Sequence, residues 1–185
     1  HSVLKLRQHL SATFKQAVKE GILNRNIAED TEPIPLPWRD APVFTPEAQK
    51  KFLLATKRSR FHTAFVMLFF LGMRRSELLG FSWDAVDFRR NILHIRKVLV
   101  IADREVVLRE RTKTRASIRT LPFPMEIKCM LREWKERQKE ESKADGYYNP
   151  DNLVFCNKDC SPINPDYFSR NFKNYVKRMN FLSND

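Results

Sequence analysis

Apolar residues recur at helical spacing along much of the chain. Residues 3–20 are one example, since Val3, Leu6 and Leu10 keep close to this spacing and Gly21 follows as a C-terminal stop. This stretch predicts an amphipathic helix, which must pack on another element to bury its apolar stripe. Four more helices are predicted. The same periodicity predicts 125–142 and 164 to about 179, a capping sequence opens 45–57, and a continuous apolar run marks 61–73 as a buried helix.

A different pattern occupies the middle of the chain, where Val, Ile and Leu are enriched in short runs. These runs predict three strands, at 91–101, 105–112 and 120–123, with residues 102–104 as the turn between the first two. The order of elements predicts an α+β fold that is mainly helical. In this fold, helices pack around a small three-stranded antiparallel sheet.

A composition change marks a domain boundary near residue 43. Four prolines fall within the polar stretch 29–43, which predicts an extended linker. Thr45 and Pro46 then provide an N-cap and a first helical residue for the next helix. We therefore divide the chain into a helical segment at 1–28, a linker at 29–43 and a second domain at 44–185.

The charge balance indicates a polyanionic partner. Lys and Arg number 34 against 22 Asp and Glu, a net charge of +12, which favours nucleic acid or an anionic membrane surface. The apolar run around Phe65 is too short to span a bilayer, so no membrane association is predicted. An odd number of cysteines, three, favours a reducing cytoplasm. Cys156 and Cys160 lack further ligands nearby, so no metal or cofactor is predicted.

The stretch 71–80 follows the buried helix and carries the first candidate chemistry. Glu77 lies three residues after Arg74, so the two side chains share a helix face and can meet. A guanidinium braced by a carboxylate suits bidentate binding of a phosphate. The same spacing also fits an ordinary surface ion pair at a basic helix end.

A second cationic pattern lies on and after the second predicted strand. Basic residues recur at every second position, which places them on one face of an extended chain, with a further arginine four residues on: Arg109, Arg111, Lys113, Arg115 and Arg119. Such a face fits the phosphates of a DNA backbone or a solvated strand edge protected by charge. Only the lysine can give up a proton near neutral pH, so Lys113 is the candidate general acid.

Two motifs resemble those of the tyrosine recombinases, the phage integrase family. Residues 72–87, GMRRSELLGFSWDAVD, resemble the signature G-L-R-x-S-E-L-L-x-L-x-W-x-D-I-D, and residues 113–123, KTRASIRTLPF, resemble the hairpin K-T-x-x-S-x-R-x-I-P-L. Residues 17–27 resemble the end of the core-binding domain of integrases, with Ile27 in place of a proline. Arg75 departs from the signature, since that position is usually apolar.

The resemblance implies a site-specific recombinase from a phage or a conjugative element. Arg74 would be its first catalytic arginine, Lys113 its catalytic lysine and Glu77 a supporting residue, with no metal or cofactor. The substrate would be double-stranded DNA, bound by a homotetramer and cleaved through a 3′-phosphotyrosine link. Segment 1–28 would be the last helix of the core-binding domain, and 44–185 the first part of the catalytic domain. The remaining arginines would be DNA contacts: Arg75, Arg109, Arg111, Arg115 and Arg119.

The second half of the family's catalytic set is expected beyond residue 179. That half comprises an H-x-x-R motif, a later His or Trp, and the nucleophilic tyrosine. The tyrosines present come too early in the family order and are expected to serve packing or loops: Tyr147, Tyr148, Tyr167 and Tyr175. We therefore expect the chain to be a fragment that cannot cleave DNA alone. The alternatives are a non-catalytic basic DNA-binding module and a basic scaffold for RNA or an acidic protein.

Overall fold

A computed structural model describes residues 2–32, 43–110 and 119–179, with the side chain of Ser2 excepted. The proline-rich stretch 33–42 therefore lies outside the described residues, as do Arg111, Lys113 and Arg115. The chain divides into two units, His1–Val43 and Phe44–Asp185. The assignment of segment 1–28 to a core-binding domain stays a prediction.

The first unit contains helix α1, Ser2–Lys19, close to the predicted 3–20. Gly21 follows with a φ of 72°, a left-handed conformation that glycine adopts without strain and that commonly ends helices. The chain then folds back along the helix. Asn26 donates hydrogen bonds to the Ser11 carbonyl at 3.0 Å, and Arg7 donates to Thr31 Oγ1 at 2.8 Å.

Three helices open the second unit: α2 Pro46–Ala55, α3 His62–Leu71 and α4 Arg75–Leu79. The predicted cap is confirmed, because Thr45 Oγ1 accepts a hydrogen bond from the Ala48 amide at 3.2 Å. Helix α3 is apolar nearly throughout, as expected of a core helix, and ends at Gly72 with a φ of 59°. This left-handed residue lets the chain turn sharply before α4.

The strands follow a 3₁₀ turn at Trp83–Ala85 and form two sheets rather than one. They are β1 Val86–Asp87, β2 Ile92–Ile95, β3 Lys97–Ala102, β4 Glu105–Glu110 and β5 Arg119–Pro122. Strand order in the first sheet is β1-β2-β5, all antiparallel, and β3 and β4 form a separate antiparallel hairpin. Asp103 and Arg104 connect the hairpin with φ values of 51° and 68°, the signs of a type I′ turn.

The prediction of one long strand over 91–101 is therefore wrong in detail. The strand is interrupted at Arg96, so its first half pairs with β5 and its second half with β4. The short β1 completes the three-stranded sheet and had no strand pattern of its own. Apolar enrichment runs across Arg96 without a gap, which is why composition alone did not reveal the change of sheet.

Two longer helices complete the second unit, α5 Met125–Asp145 and α6 Pro165–Arg178. Asn164 caps α6 as predicted, because its Oδ1 accepts from the Asp166 amide at 2.8 Å. Aromatic rings join α2, α3 and α6 in the core, with Phe52 and Phe65 centroids 5.2 Å apart and Phe65 and Phe168 centroids 5.3 Å apart. The predicted α+β class, helices around a small antiparallel sheet, is confirmed.

The core also reaches the segment after α5. Leu153, Val154 and Phe155 are buried, and the Trp134 indole donates to the Val154 carbonyl at 2.6 Å.

Within the described ranges, no helix combines the length and apolarity needed to cross a bilayer.

Candidate active site

Arg74 lies at the junction between α3 and α4. It is the N-cap of α4, in an extended conformation with φ −71° and ψ 148°, and its side chain is 66% exposed. The left-handed Gly72 turns the chain immediately before it. The buried helix thus ends by presenting a guanidinium to solvent.

Glu77 holds Arg74 through both backbone and side chain. The carboxylate accepts from the Arg74 amide at 2.9 Å and from Arg74 Nη1 at 3.1 Å. The first bond satisfies a backbone donor that a helix N-terminus would otherwise leave unpaired. The predicted meeting of these two side chains is confirmed.

Glu77 also accepts hydrogen bonds from a second arginine, Arg119 on strand β5. Arg119 Nη1 donates to Oε1 and Nη2 to Oε2, both at 2.8 Å, in a bidentate pair. The Glu77 side chain is 0% exposed, whereas that of Arg119 is 33% exposed. This contact joins β5 to α4 across 42 residues of sequence.

The electrostatics keep the Glu77 carboxyl ionised. Burial by itself would raise the pKa of Glu77, but hydrogen bonds from Arg119 and Arg74, with the charge of Arg119, outweigh burial and lower the pKa. A buried anion therefore lies between two arginines, and the guanidinium of Arg74 extends from it into solvent.

Arg75, the residue that departs from the family signature, contacts helix α6. Its Nη1 donates to Ser169 Oγ at 2.7 Å and to the Pro165 carbonyl at 3.2 Å, and it lies 3.4 Å from Asp166 Oδ1. These bonds tie the first turn of α4 to the start of α6. The side chain is 46% exposed, so its outer surface is still accessible to a ligand.

Of the basic residues that recur from Arg109 to Arg119, the structure describes only the first and the last. Arg109 is exposed on β4, opposite Val98, and Arg119 is on β5, opposite Ile95. These two arginines therefore belong to different sheets. The three basic residues between them, Lys113 among them, lie outside the described residues, so their predicted roles stay predictions.

Two of the four tyrosines and two of the three cysteines pack against other residues, whereas Tyr147, Tyr148 and Cys129 are exposed. The Tyr175 ring packs at 6.2 Å from both Phe52 and Phe65, and the Tyr167 ring at 6.0 Å from Phe61. Cys156 and Cys160 are buried, and burial raises the pKa of the Cys156 thiol to about 11. Over the described part of the chain, no cluster of three or more metal-ligating side chains occurs.

Comparison with known proteins identifies the family. Residues 43–183 match the profile of the Phage integrase family, and the chain belongs to this family. It is 31% identical over 179 residues to the ICEBs1 integrase of Bacillus subtilis, covering 95% of this chain and 48% of that protein. It is 29% identical over 196 residues to the protein "Tyrosine recombinase XerC-like" of Caldanaerobacter subterraneus, covering 96% of this chain and 50% of that protein. The chain spans about half the length of the curated relatives it matches.

Solved structures share the fold. The Tn1549 transposon integrase in complex with transposon right end DNA superposes with a TM-score of 0.76 at 21% identity, over 99% of this chain and 60% of that chain. A lambda integrase tetramer bound to a Holliday junction gives a TM-score of 0.56 at 17% identity, over 92% of this chain and 45% of that chain. The arrangement of helices around the small sheet is thus the one found in integrases.

Proposed function

We propose that this chain is part of a site-specific DNA recombinase, in which it supplies the first half of the active site. The observation that carries the proposal is the geometry at Arg74. Its side chain is 66% exposed. The buried and ionised Glu77 carboxylate accepts a hydrogen bond from the Arg74 backbone amide and so holds this residue in place. A fixed, permanently charged fork of donors suits the non-bridging oxygens of a phosphodiester.

The proposed reaction is transesterification at a DNA phosphate. A tyrosine hydroxyl attacks phosphorus and passes its proton to a histidine, and the bond to the 5′ oxygen breaks as the bond to tyrosine forms. Arg74 stabilises the charge that develops on the phosphate, often the largest catalytic term. Lys113 gives a proton to the departing 5′ oxygen. The 5′ hydroxyl of a partner strand then reverses the step without metal or ATP.

The proposed partner is duplex DNA, with a tetramer as the working assembly. Two solved relatives support this, since one is described with transposon right end DNA and another as a tetramer on a Holliday junction. Backbone contacts are proposed for Arg75, Arg109, Arg111 and Arg115, whose charge would position the duplex without reading its sequence. The proposal places the protein in the cytoplasm, with its DNA.

We further propose that the 185-residue chain does not cleave DNA by itself. Tyr175 supports this, because it is partly buried against Phe52 and Phe65 and a nucleophile must reach a phosphate. Tyr147, Tyr148 and Tyr167 are exposed, and they are set aside only because they come too early in the family order. The tyrosine and histidine that act would come from other parts of the full-length protein.

The test is a covalent trap with the full-length protein and attachment-site DNA nicked near the cleavage position, which lets the cut end diffuse away. A protein–DNA adduct that survives denaturation and carries tyrosine on a 3′ phosphate is expected. Duplex binding that weakens steeply with salt, without any adduct, would favour a non-catalytic DNA-binding module. The 185-residue chain in the same assay should bind and form no adduct.

A further inference from the structure

Arg119 has the contacts of a residue that acts through another side chain. Each of its two terminal nitrogens donates a hydrogen bond to one oxygen of Glu77, at 2.8 Å. Two bonds from one guanidinium to one carboxylate form a bidentate pair, which is both stronger and more directional than a single neutral hydrogen bond. The donors left for a phosphate are the other N–H groups of the guanidinium, on a side chain that is only 33% exposed.

The carboxylate that Arg119 holds is the one that orients Arg74. Each oxygen of Glu77 accepts from both arginines: Oε1 from Arg74 Nη1 and Arg119 Nη1, Oε2 from the Arg74 amide and Arg119 Nη2. A carboxylate bound on both oxygens by a rigid fork cannot rotate freely. Arg119 therefore limits the orientations that Glu77, and through it Arg74, can adopt.

The position of Arg119 in the chain adds a second link. It is the first residue of β5 and directly follows 111–118, the segment that contains Lys113. Through Glu77, Arg119 itself is joined to the helix that begins beside Arg74. The ion pair thus holds the residue that comes six positions after Lys113 in the sequence.

We propose that Arg119 is a positioning residue for Arg74, acting through Glu77, rather than a ligand of the DNA backbone. The proposal rests on the function proposed above. Losing Arg119 leaves Arg74 present but poorly oriented, so the chemical step slows while DNA remains bound. Misplacement by about 1 Å is enough to cost about 100-fold in rate.

The test compares three variants of the full-length protein: Arg119→Met, Arg119→Lys and Arg137→Met. Arg137 is a matched control, since it also pairs with a glutamate, Glu141, at 3.0 Å, but on α5. We expect Arg119→Met to lower the single-turnover cleavage rate by about 10- to 100-fold with nearly unchanged DNA affinity. Arg119→Lys should recover part of the rate, because one amine can hold only part of the carboxylate. The control should match wild type.

Two results would overturn the proposal. One is a loss of affinity in Arg119→Met with an unchanged rate for bound DNA, as a phosphate ligand would show. The other is an unchanged rate and affinity. If wild-type protein forms no adduct, the proposed function fails instead. The Arg119–Glu77 ion pair can then be tested in the 185-residue chain by urea unfolding. The changes in unfolding free energy caused by Arg119→Met and Glu77→Gln should be strongly non-additive in the double variant. Additive changes would show that the two residues are not coupled.

Discussion

Replacing Glu77 by glutamine removes the charge at the centre of the site while keeping its shape. The amide oxygen can still accept hydrogen bonds, but the amide nitrogen would meet donors from Arg119 and Arg74 where an acceptor is needed. Breaking a buried ion pair by changing one partner typically costs 3–5 kcal/mol. Because a third of the Arg119 side chain remains exposed, we expect the lower end, about 3 kcal/mol at pH 7.

The pH dependence separates the charge from a simple packing defect. The folded pKa of Glu77 lies below its ordinary value of 4.5, so its ionised form stabilises the fold above that pH. This contribution is lost as the pH falls through the folded pKa. The difference in unfolding free energy between wild type and Glu77→Gln should therefore be full at pH 7 and shrink below pH 4.5.

Urea unfolding of the 185-residue chain at pH 7 and at about pH 3.5 measures this difference. Glu136→Gln is the matched control, because Glu136 is 67% exposed and 3.8 Å from Lys139, and exposed pairs contribute little. Equal stability of Glu77→Gln and wild type at pH 7 would show that the Glu77 charge does not stabilise the fold. A difference that stays the same at both pH values would show that packing, not charge, is responsible.

Two further predictions concern packing and thiol reactivity. A Cβ on Gly80 would lie 2.6 Å from the Leu99 backbone nitrogen, so Gly80→Ala should lower the free energy of unfolding, measured in urea, by about 1–3 kcal/mol or more. Gly146→Ala is the control and should cost less, because Gly146 has open space around it at a φ of 69°. A larger loss for Gly146→Ala than for Gly80→Ala would contradict the packing at Gly80. Cys129 is exposed, whereas burial raises the pKa of the Cys156 thiol to about 11. Iodoacetamide at pH 8 should therefore alkylate Cys129 before Cys156, as followed by mass spectrometry. Equal labelling of the two would contradict the burial of Cys156.

The sequence predicted the parts of the site that depend on local geometry. Arg74 is the N-cap of a short helix and Glu77 lies three residues further on, so local geometry alone brings their side chains together. Arg119 appeared to belong with the alternating series, because its position keeps the period of an extended chain. Its partner is 42 residues away, and no local pattern encodes a contact at that separation.

The same limit applies to the sheets and to Arg75. Strand pairing depends on which surfaces meet after the chain bends, so the apolar run across Arg96 did not show that β2 and β3 belong to different sheets. Arg75 was predicted only as a DNA contact, and its bond to Ser169, which spans 94 residues, was not predicted. The positions of the long helices, which depend on local sequence, were predicted to within a few residues.

Single-turnover cleavage by the full-length Arg74→Ala variant, measured together with its DNA affinity, tests the role of Arg74 most directly. Removing a donor that stabilises transition-state charge costs about 100- to 1000-fold, so we expect a cleavage rate lowered to that extent with duplex affinity little changed. An Arg74→Ala variant that binds DNA and forms the covalent adduct at the wild-type rate would contradict the assignment of this arginine to the scissile phosphate.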